Sequence, residues 1–292
     1  PGFAGESSFG PENVRVVHEY GHSVGMVWQG VKYATFPEVF DEISGGKGVY
    51  RLGMGDYSNT PIPVYKQLKA ALAPGGELVR AEELLQDLRM HKSENEIALI
   101  RQACKISEKA FEDLLGIITP EMTEYQCEGA LIDAMYRHGG EGPAFPVLVY
   151  AGERTMNMIG RSTHSKLGRD RLVNIDLGAL YGGYASAYGR PLMFGKMPGK
   201  MRKQIEFTIE THNLIMHDFV KPGVIAEDVY KLFRERFESH GYGTPPAGAF
   251  HGIGVFEFEL PSARMGVKQR IEENMVLACD TFFRAESYGF RI

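Results

Sequence analysis

The sequence predicts an α+β chain in two parts: a small α/β domain over residues 1–90 and a larger α+β domain over residues 91–292. Three observations carry this. Before about residue 90, short strand-like runs alternate with turns and a short helix. From Ser93 onward the order is helix, helix, strands, helix, helix, strands, a faint duplication that suggests two pseudo-equivalent halves. The composition is that of a globular chain able to bury a core, with 43% hydrophobic and 24% charged residues in 292.

In the first part, Val14-Arg-Val-Val17 and Val24-Gly-Met-Val27 are β-branched-rich strand candidates. Ser44–Gly48 reads as a loop and Gly53-Met-Gly55 as a turn. Pro63–Leu72 reads as a helix with proline near its start, closed by Ala73-Pro-Gly-Gly76, and Leu78-Val-Arg80 as the strand after it. In the second part, Ser93-Glu-Asn-Glu96 fits a capping box, and Ile97, Ile100, Ala103, Ile106, Ala110 and Leu114 follow at helical spacing. A Thr-capped helix spans 123–137 and stops at Gly139-Gly140. Leu172–Asp176 and Tyr184–Tyr188 read as strands joined through Gly182-Gly183. Helices are expected over 201–220 and 226–240, split by Lys221-Pro-Gly223, then strands over 252–259, 275–283 and 288–292.

Several function classes drop out. A net charge of −5 gives no basic field for a nucleic-acid backbone. The sequence has no run of about 18 apolar residues, so no membrane span is expected. Three scattered cysteines, Cys104, Cys127 and Cys279, make neither a disulfide scaffold nor a thiolate zinc site and suit the reducing cytoplasm. The start at Pro1 shows no leader, and a partial N-terminal domain is expected. His18-Glu-Tyr-Gly-His22 matches HExxH, but Gly21 and the valines around it argue for strand and turn, and the motif is set aside.

The residues that carry chemistry lie in the second part. Asp176 ends an apolar strand, and His251 sits beside Gly252 and Gly254. Glu257 and Glu259 are expected to share one face of a strand. Asp280 interrupts an apolar run, where an unpaired carboxylate would be costly, and Arg291 lies in the final strand. Carboxylates, an imidazole and a guanidinium on inward faces make a hydrolytic site. The bland readings are an Arg291–Asp280 ion pair, a hydrogen-bonded core histidine, and tyrosines 181, 184 and 188 that only pack.

At these residues the second part resembles the creatinase/aminopeptidase P/prolidase superfamily, the pita-bread fold, over about residues 50–292. The likeness rests on Lys92–Ile97 with Ile100-Arg101, on Asp176-Leu-Gly with Gly183-Tyr184, and on His251-Gly-Ile-Gly254 with Glu259 and Pro261. It rests also on Asn274-Met-Val276 with Asp280, and on Gly289–Ile292. The N-terminal part would then be a partial version of the superfamily's small α/β domain.

The resemblance implies a site in which the superfamily's metallopeptidases hold two metals with two Asp, one His and two Glu. Asp176 matches the first Asp, His251 the His, and Asp280 stands for the first Glu, one methylene shorter. Ala187 stands for the second, bridging Asp; Phe258 and Ile159 stand for site histidines; the last Glu would follow Ile292. A methyl group in place of the bridging carboxylate predicts that no paired metal centre forms. The sequence is therefore expected to work without a cofactor, a single divalent ion being the lesser option.

On this reading His251 shuttles a proton, Asp176 or Glu259 orients it, Asp280 is a further catalytic acid, Arg291 clamps a substrate carboxylate, and Tyr184, Phe258 and Ile159 complete the substrate pocket. Three functions follow in order: a metal-independent C–N hydrolase of a small charged molecule; an Xaa-Pro dipeptidase or aminopeptidase P-type metallopeptidase; a silent binding protein of the same fold. The partner is a small-molecule substrate, and the resemblance adds a homodimer.

Overall fold

Reciprocal side-chain caps start the helices that frame the site. The computed structural model describes residues 14–17 and 32–292. The HExxH motif at 18–22 and the strand expected at 24–27 lie outside the described residues. The chain divides into two units, Pro1–Asp87 and Leu88–Ile292.

In the first unit, β1 (Val16–Val17) pairs in parallel with β2 (Tyr33–Ala34). Thr35 caps α1 (Phe36–Ser44), with the Glu38 carboxylate returning to the Thr35 N–H, and Gly45 ends it at φ 60°. β3 (Arg51–Met54) runs parallel to β4 (Glu77–Arg80), with α2 (Ile62–Ala71) between them in the chain. The turn expected at Gly53-Met-Gly55 is instead mostly strand. A Cβ at Gly53 would come within 2.9 Å of Ala81 Cβ, so the glycine permits close packing rather than a bend. α3 (Glu82–Met90), not expected from the sequence, crosses the boundary between the units and leaves Leu84 and Leu88 exposed at i and i+4.

In the second unit, Ser93 accepts from Glu96 N–H, and the Glu96 carboxylate accepts from Ser93 N–H, at the head of α4 (Glu94–Ile117). Thr123 and Gln126 repeat the arrangement at α5 (Glu124–Arg137). Both helices cover an antiparallel sheet in which β6 (Leu172–Leu177) lies between β5 (Leu148–Ala151) and β9 (Tyr188–Met193). Strand alternation divides β6: Val173, Ile175 and Leu177 enter the core beneath α4 and α5, and Asn174 and Asp176 fall on the other face. β7 (Leu180–Tyr181) and β8 (Tyr184–Ala185) form the Gly182-Gly183 hairpin. The strand expected over 184–188 is thus two strands, broken where buried Ser186 turns its hydroxyl to Ala179 N–H and Ser107.

α6 (Gly199–Leu214) runs into a π-helical turn at Ile215–Phe219, and α7 (Ala226–Ser239) follows. Their inner faces bury Phe207, Phe233 and Phe237 against Phe283 and Phe290 in a second core. β10 (His251–Gly252) lies between β11 (Glu259–Ser262) and β12 (Leu277–Ala278), and β13 (Phe282–Arg284) pairs with β14 (Gly289–Arg291).

Two expected strands are corrected here. Residues 253–258 are irregular, because a Cβ at Gly252 would meet Leu260 O at 2.3 Å and the chain folds back at that close approach. The 275–283 run is broken at Asp280, where it leaves its pairing with β10 and takes up β14.

Candidate active site

Asp280 lies in the break between β12 and β13, where the backbone is free of a ladder and the carboxylate turns to its partners. His251 Nε2 stands 3.0 Å from Asp280 Oδ2 and 3.5 Å from Glu257 Oε1. Its other nitrogen, Nδ1, lies 2.8 Å from the Gly252 carbonyl. A carbonyl only accepts, so Nδ1 carries the proton there. In the neutral ring the Nε2 lone pair then faces two carboxylates. Burial alone would lower the His251 pKa, but the hydrogen bond and charge of Asp280 raise it above the ordinary value. A cation is called for at that nitrogen, whether a proton or a metal ion.

His251, Glu257 and Asp280 each offer one ligand atom, and these atoms lie within 4.8 Å of one another. They form the one such cluster among the described residues. Three nitrogen and oxygen donors with space beside them match the donor set of a catalytic metal site that keeps an open position.

Arg291 ends β14 and donates from Nε to Asp280 Oδ1 at 3.0 Å. Its Nη2 lies 2.8 Å from the same oxygen yet makes no hydrogen bond. Burial opposes the guanidinium charge, and Asp280 and Asp176 more than restore it, so its pKa rises. Burial also works against the Asp280 carboxylate, but Arg291 and His251 hold its pKa below the ordinary value.

Asp176 is 1% exposed. Its Oδ2 accepts from the Tyr150 hydroxyl at 3.0 Å, whereas Oδ1 has no hydrogen bond and lies 3.8 Å from Arg291 Nε. Desolvation raises its pKa to about 6 against the pull of Arg291 and Tyr150. Opposite it in the ladder is Gly189, where a Cβ would come within 2.6 Å of Oδ1.

The cavity beside these groups has a volume of about 190 Å³. Its walls are Ile159, Phe250, Phe258 and Phe282, its floor His251, Glu257, Asp280 and Arg291, and Arg264 lies at one side. The Phe258 ring lies 4.6 Å from the His251 ring and 5.2 Å from the Arg264 guanidinium.

The fold thus brings together His251, Asp280, Arg291, Phe258 and Ile159, with Asp176 behind Arg291. Two expected site residues stand elsewhere. Tyr184 donates its hydroxyl to Glu96 Oε1 at 2.8 Å and does not line the cavity. Glu259 takes Lys92 at 3.0 Å as its partner, with its other oxygen accepting from Phe256 N–H. Without a strand over 253–258, the expected shared face of Glu257 and Glu259 does not form. Arg190 stacks on Tyr188 at 4.2 Å. Sequence reasoning passed over Glu257 as a site group and missed Tyr150 and Arg264. The alternation of β5, which puts Tyr150 on the face of Asp176, was the signal available for the tyrosine.

The sequence profile described as metallopeptidase family M24 matches residues 98–292. An Xaa-Pro dipeptidase from Pyrococcus furiosus is 28% identical over 252 residues, 86% of this chain and 70% of the relative. The prolidase structure from Pyrococcus furiosus superposes with a TM-score of 0.80 at 27% identity, covering 90% of this chain and 76% of that one. The X-Pro aminopeptidase structure from Thermotoga maritima, at 24% identity, shares the fold with a TM-score of 0.79 over 90% of this chain and 74% of its own. The fold is therefore the α+β pita-bread fold of the creatinase/aminopeptidase P/prolidase superfamily. Among the described residues, no helix is long and apolar enough to cross a membrane.

These findings overturn the expectation of a site without a cofactor. The matched family is one of metallopeptidases, whose members use divalent metal ions. The physical reason is visible in the structure: Ala187, between β8 and β9, supplies no ligand, yet its methyl leaves the convergence of His251, Glu257 and Asp280 intact.

Proposed function

The chain belongs to metallopeptidase family M24, and on that premise we propose that it is a divalent-metal peptidase that cleaves short Xaa-Pro peptides. The observation that carries the reading is the His251 Nε2 lone pair aimed at Asp280 and Glu257 while Nδ1 is fixed on Gly252. His251, Asp280 and Glu257 would hold the ion. What a bound divalent ion supplies is Lewis acidity toward the scissile carbonyl and a water of lowered pKa.

The chain's own groups do the rest. Arg291 fixes Asp280 and keeps it ionised. Asp176, with its pKa raised to about 6, is suited to take up a proton near neutrality. The apolar walls of Phe250, Phe258 and Phe282 exclude water and suit a pyrrolidine ring. Arg264 offers a guanidinium to the peptide carboxylate. A cavity of about 190 Å³ favours a dipeptide over a long chain.

The test is hydrolysis of Xaa-Pro and Xaa-Ala dipeptides by the purified protein after chelation and after readdition of Mn²⁺, Co²⁺ or Zn²⁺. The reading expects cleavage restricted to Xaa-Pro and restored by metal. Equal cleavage with and without chelator, or no cleavage with any of the ions, would defeat it.

A further inference from the structure

A second cavity, of about 590 Å³, lies in the second unit apart from the candidate active site. It has about three times the volume of that site and falls within the roughly 300–1,000 Å³ usual for small-molecule pockets. The two cavities share no lining residue. They lie at opposite ends of the β13–β14 ladder, where Phe282 pairs with Arg291 at the active-site end and Arg284 with Gly289 at the other.

Lys200 and Gln204 are one turn apart on α6 and face the cavity together. Arg284 enters from the end of β13 and Glu286 from the turn after it. Phe283 makes the apolar floor, with Tyr242 set edge-on to it at 4.9 Å between ring centroids.

Gln204 is 5% exposed, and its Oε1 accepts from the Tyr288 hydroxyl. Among the described residues nothing accepts from its Nε2, yet that nitrogen is not sealed in, so it opens on the cavity. A donor left over beside an apolar floor needs an acceptor from outside. The charges point the same way. Lys200 and Arg284 have no carboxylate partner among the described residues, and Glu286, the one acid of the lining, is unpaired too. Two cations against one acid leave a single positive charge. α6 also starts at Pro198 without a side-chain cap, so the orphan N–H groups of its first turn add to the positive side. A surplus of one suits a carboxylate better than a phosphate dianion.

We propose that this cavity is a second ligand site, for a small organic acid with an aromatic body. Its carboxylate takes Arg284, Lys200 and Gln204 Nε2, and its ring lies over Phe283 and Tyr242. The site stands apart from the proposed peptidase chemistry and does not depend on it.

The probe is hydrocinnamate, titrated by calorimetry into the purified protein in EDTA. Arg284→Met and Lys200→Met, both at exposed positions where folding is not at stake, should each weaken binding by at least about tenfold. Glu286→Gln should tighten it. Phenethylamine, which keeps the ring and lacks the carboxylate, should not bind. Arg264→Met, in the other cavity, should leave hydrocinnamate affinity unchanged. No binding by the parent, parent-like affinity in Arg284→Met, weaker binding in Glu286→Gln, or loss in Arg264→Met overturns the proposal, the last because it seats the acid in the active-site cavity. In crystals soaked with hydrocinnamate, a carboxylate on Arg284 and Gln204 Nε2 supports the assignment, and an empty cavity refutes it.

Discussion

Lys92 Nζ and Glu259 Oε2 lie 3.0 Å apart with side chains 2% and 7% exposed, joining the segment before α4 to the start of β11. The other Glu259 oxygen holds Phe256 N–H, and so shapes the irregular stretch that carries Glu257 and Phe258. Removing one partner of a buried pair leaves an uncompensated charge. Lys92→Met should therefore cost about 3–5 kcal/mol in urea denaturation. Lys92→Met combined with Glu259→Gln should regain more than half of that loss. A double variant as unstable as the single one would show that the lysine acts by packing alone.

His251→Ala should remove the nitrogen donor of the cluster. Co²⁺ binding, followed by equilibrium dialysis, should drop by at least about a hundredfold, and Xaa-Pro hydrolysis should fall with it. Retained Co²⁺ affinity would place the ion elsewhere.

Asp176 sets a pH dependence. Its folded pKa of about 6 lies above the ordinary 3.8, so the metal-free folded state binds the proton more tightly than the unfolded chain. The associated stability is fully present below about pH 4 and is lost as pH rises through about 6. The loss is on the order of 2–3 kcal/mol. Asp176→Asn lacks the dependence, so its melting temperature in EDTA should gain on the parent between roughly pH 5 and pH 8. A constant difference across that range would mean that Asp176 stays ionised.

Gly189→Ala tests the clearance opposite Asp176. The new Cβ would stand 2.6 Å from Oδ1 and 3.3 Å from the Arg291 stem, both buried. Overpacking of this kind costs about 1–3 kcal/mol, read by urea denaturation. Parent-like stability would show that Asp176 moves freely.

The helices of the second unit were legible because their signals are local. Ser93 with Glu96 and Thr123 with Gln126 each write a helix start within four residues, and both boxes form. β6 was legible from Leu172, Val173 and Ile175 around Asn174. The loop around Glu257 was not, because its path depends on Lys92, far away in sequence, drawing Glu259 away from His251. Strand periodicity cannot report that contact. Asp280 was readable as a costly charge in an apolar run, but the change of strand partner that frees it is a tertiary event. The metal expectation failed for a related reason. Reading Ala187 as the loss of the centre weighed one position of a pattern, whereas ligand capacity belongs to a cluster that only folding assembles.

The position of Arg291 between two acids fixes the electroneutrality of the pocket. Ionised Asp176, Glu257 and Asp280 set three negative charges against one guanidinium, with His251 neutral through its Nδ1 proton. Two units of negative charge are left over for a cation at His251 Nε2 to meet. One dication cancels them; sodium or potassium leaves a deficit and a trivalent ion an excess. On the metal reading, the arginine thereby sets the charge that a guest cation would have to bring, without itself touching it.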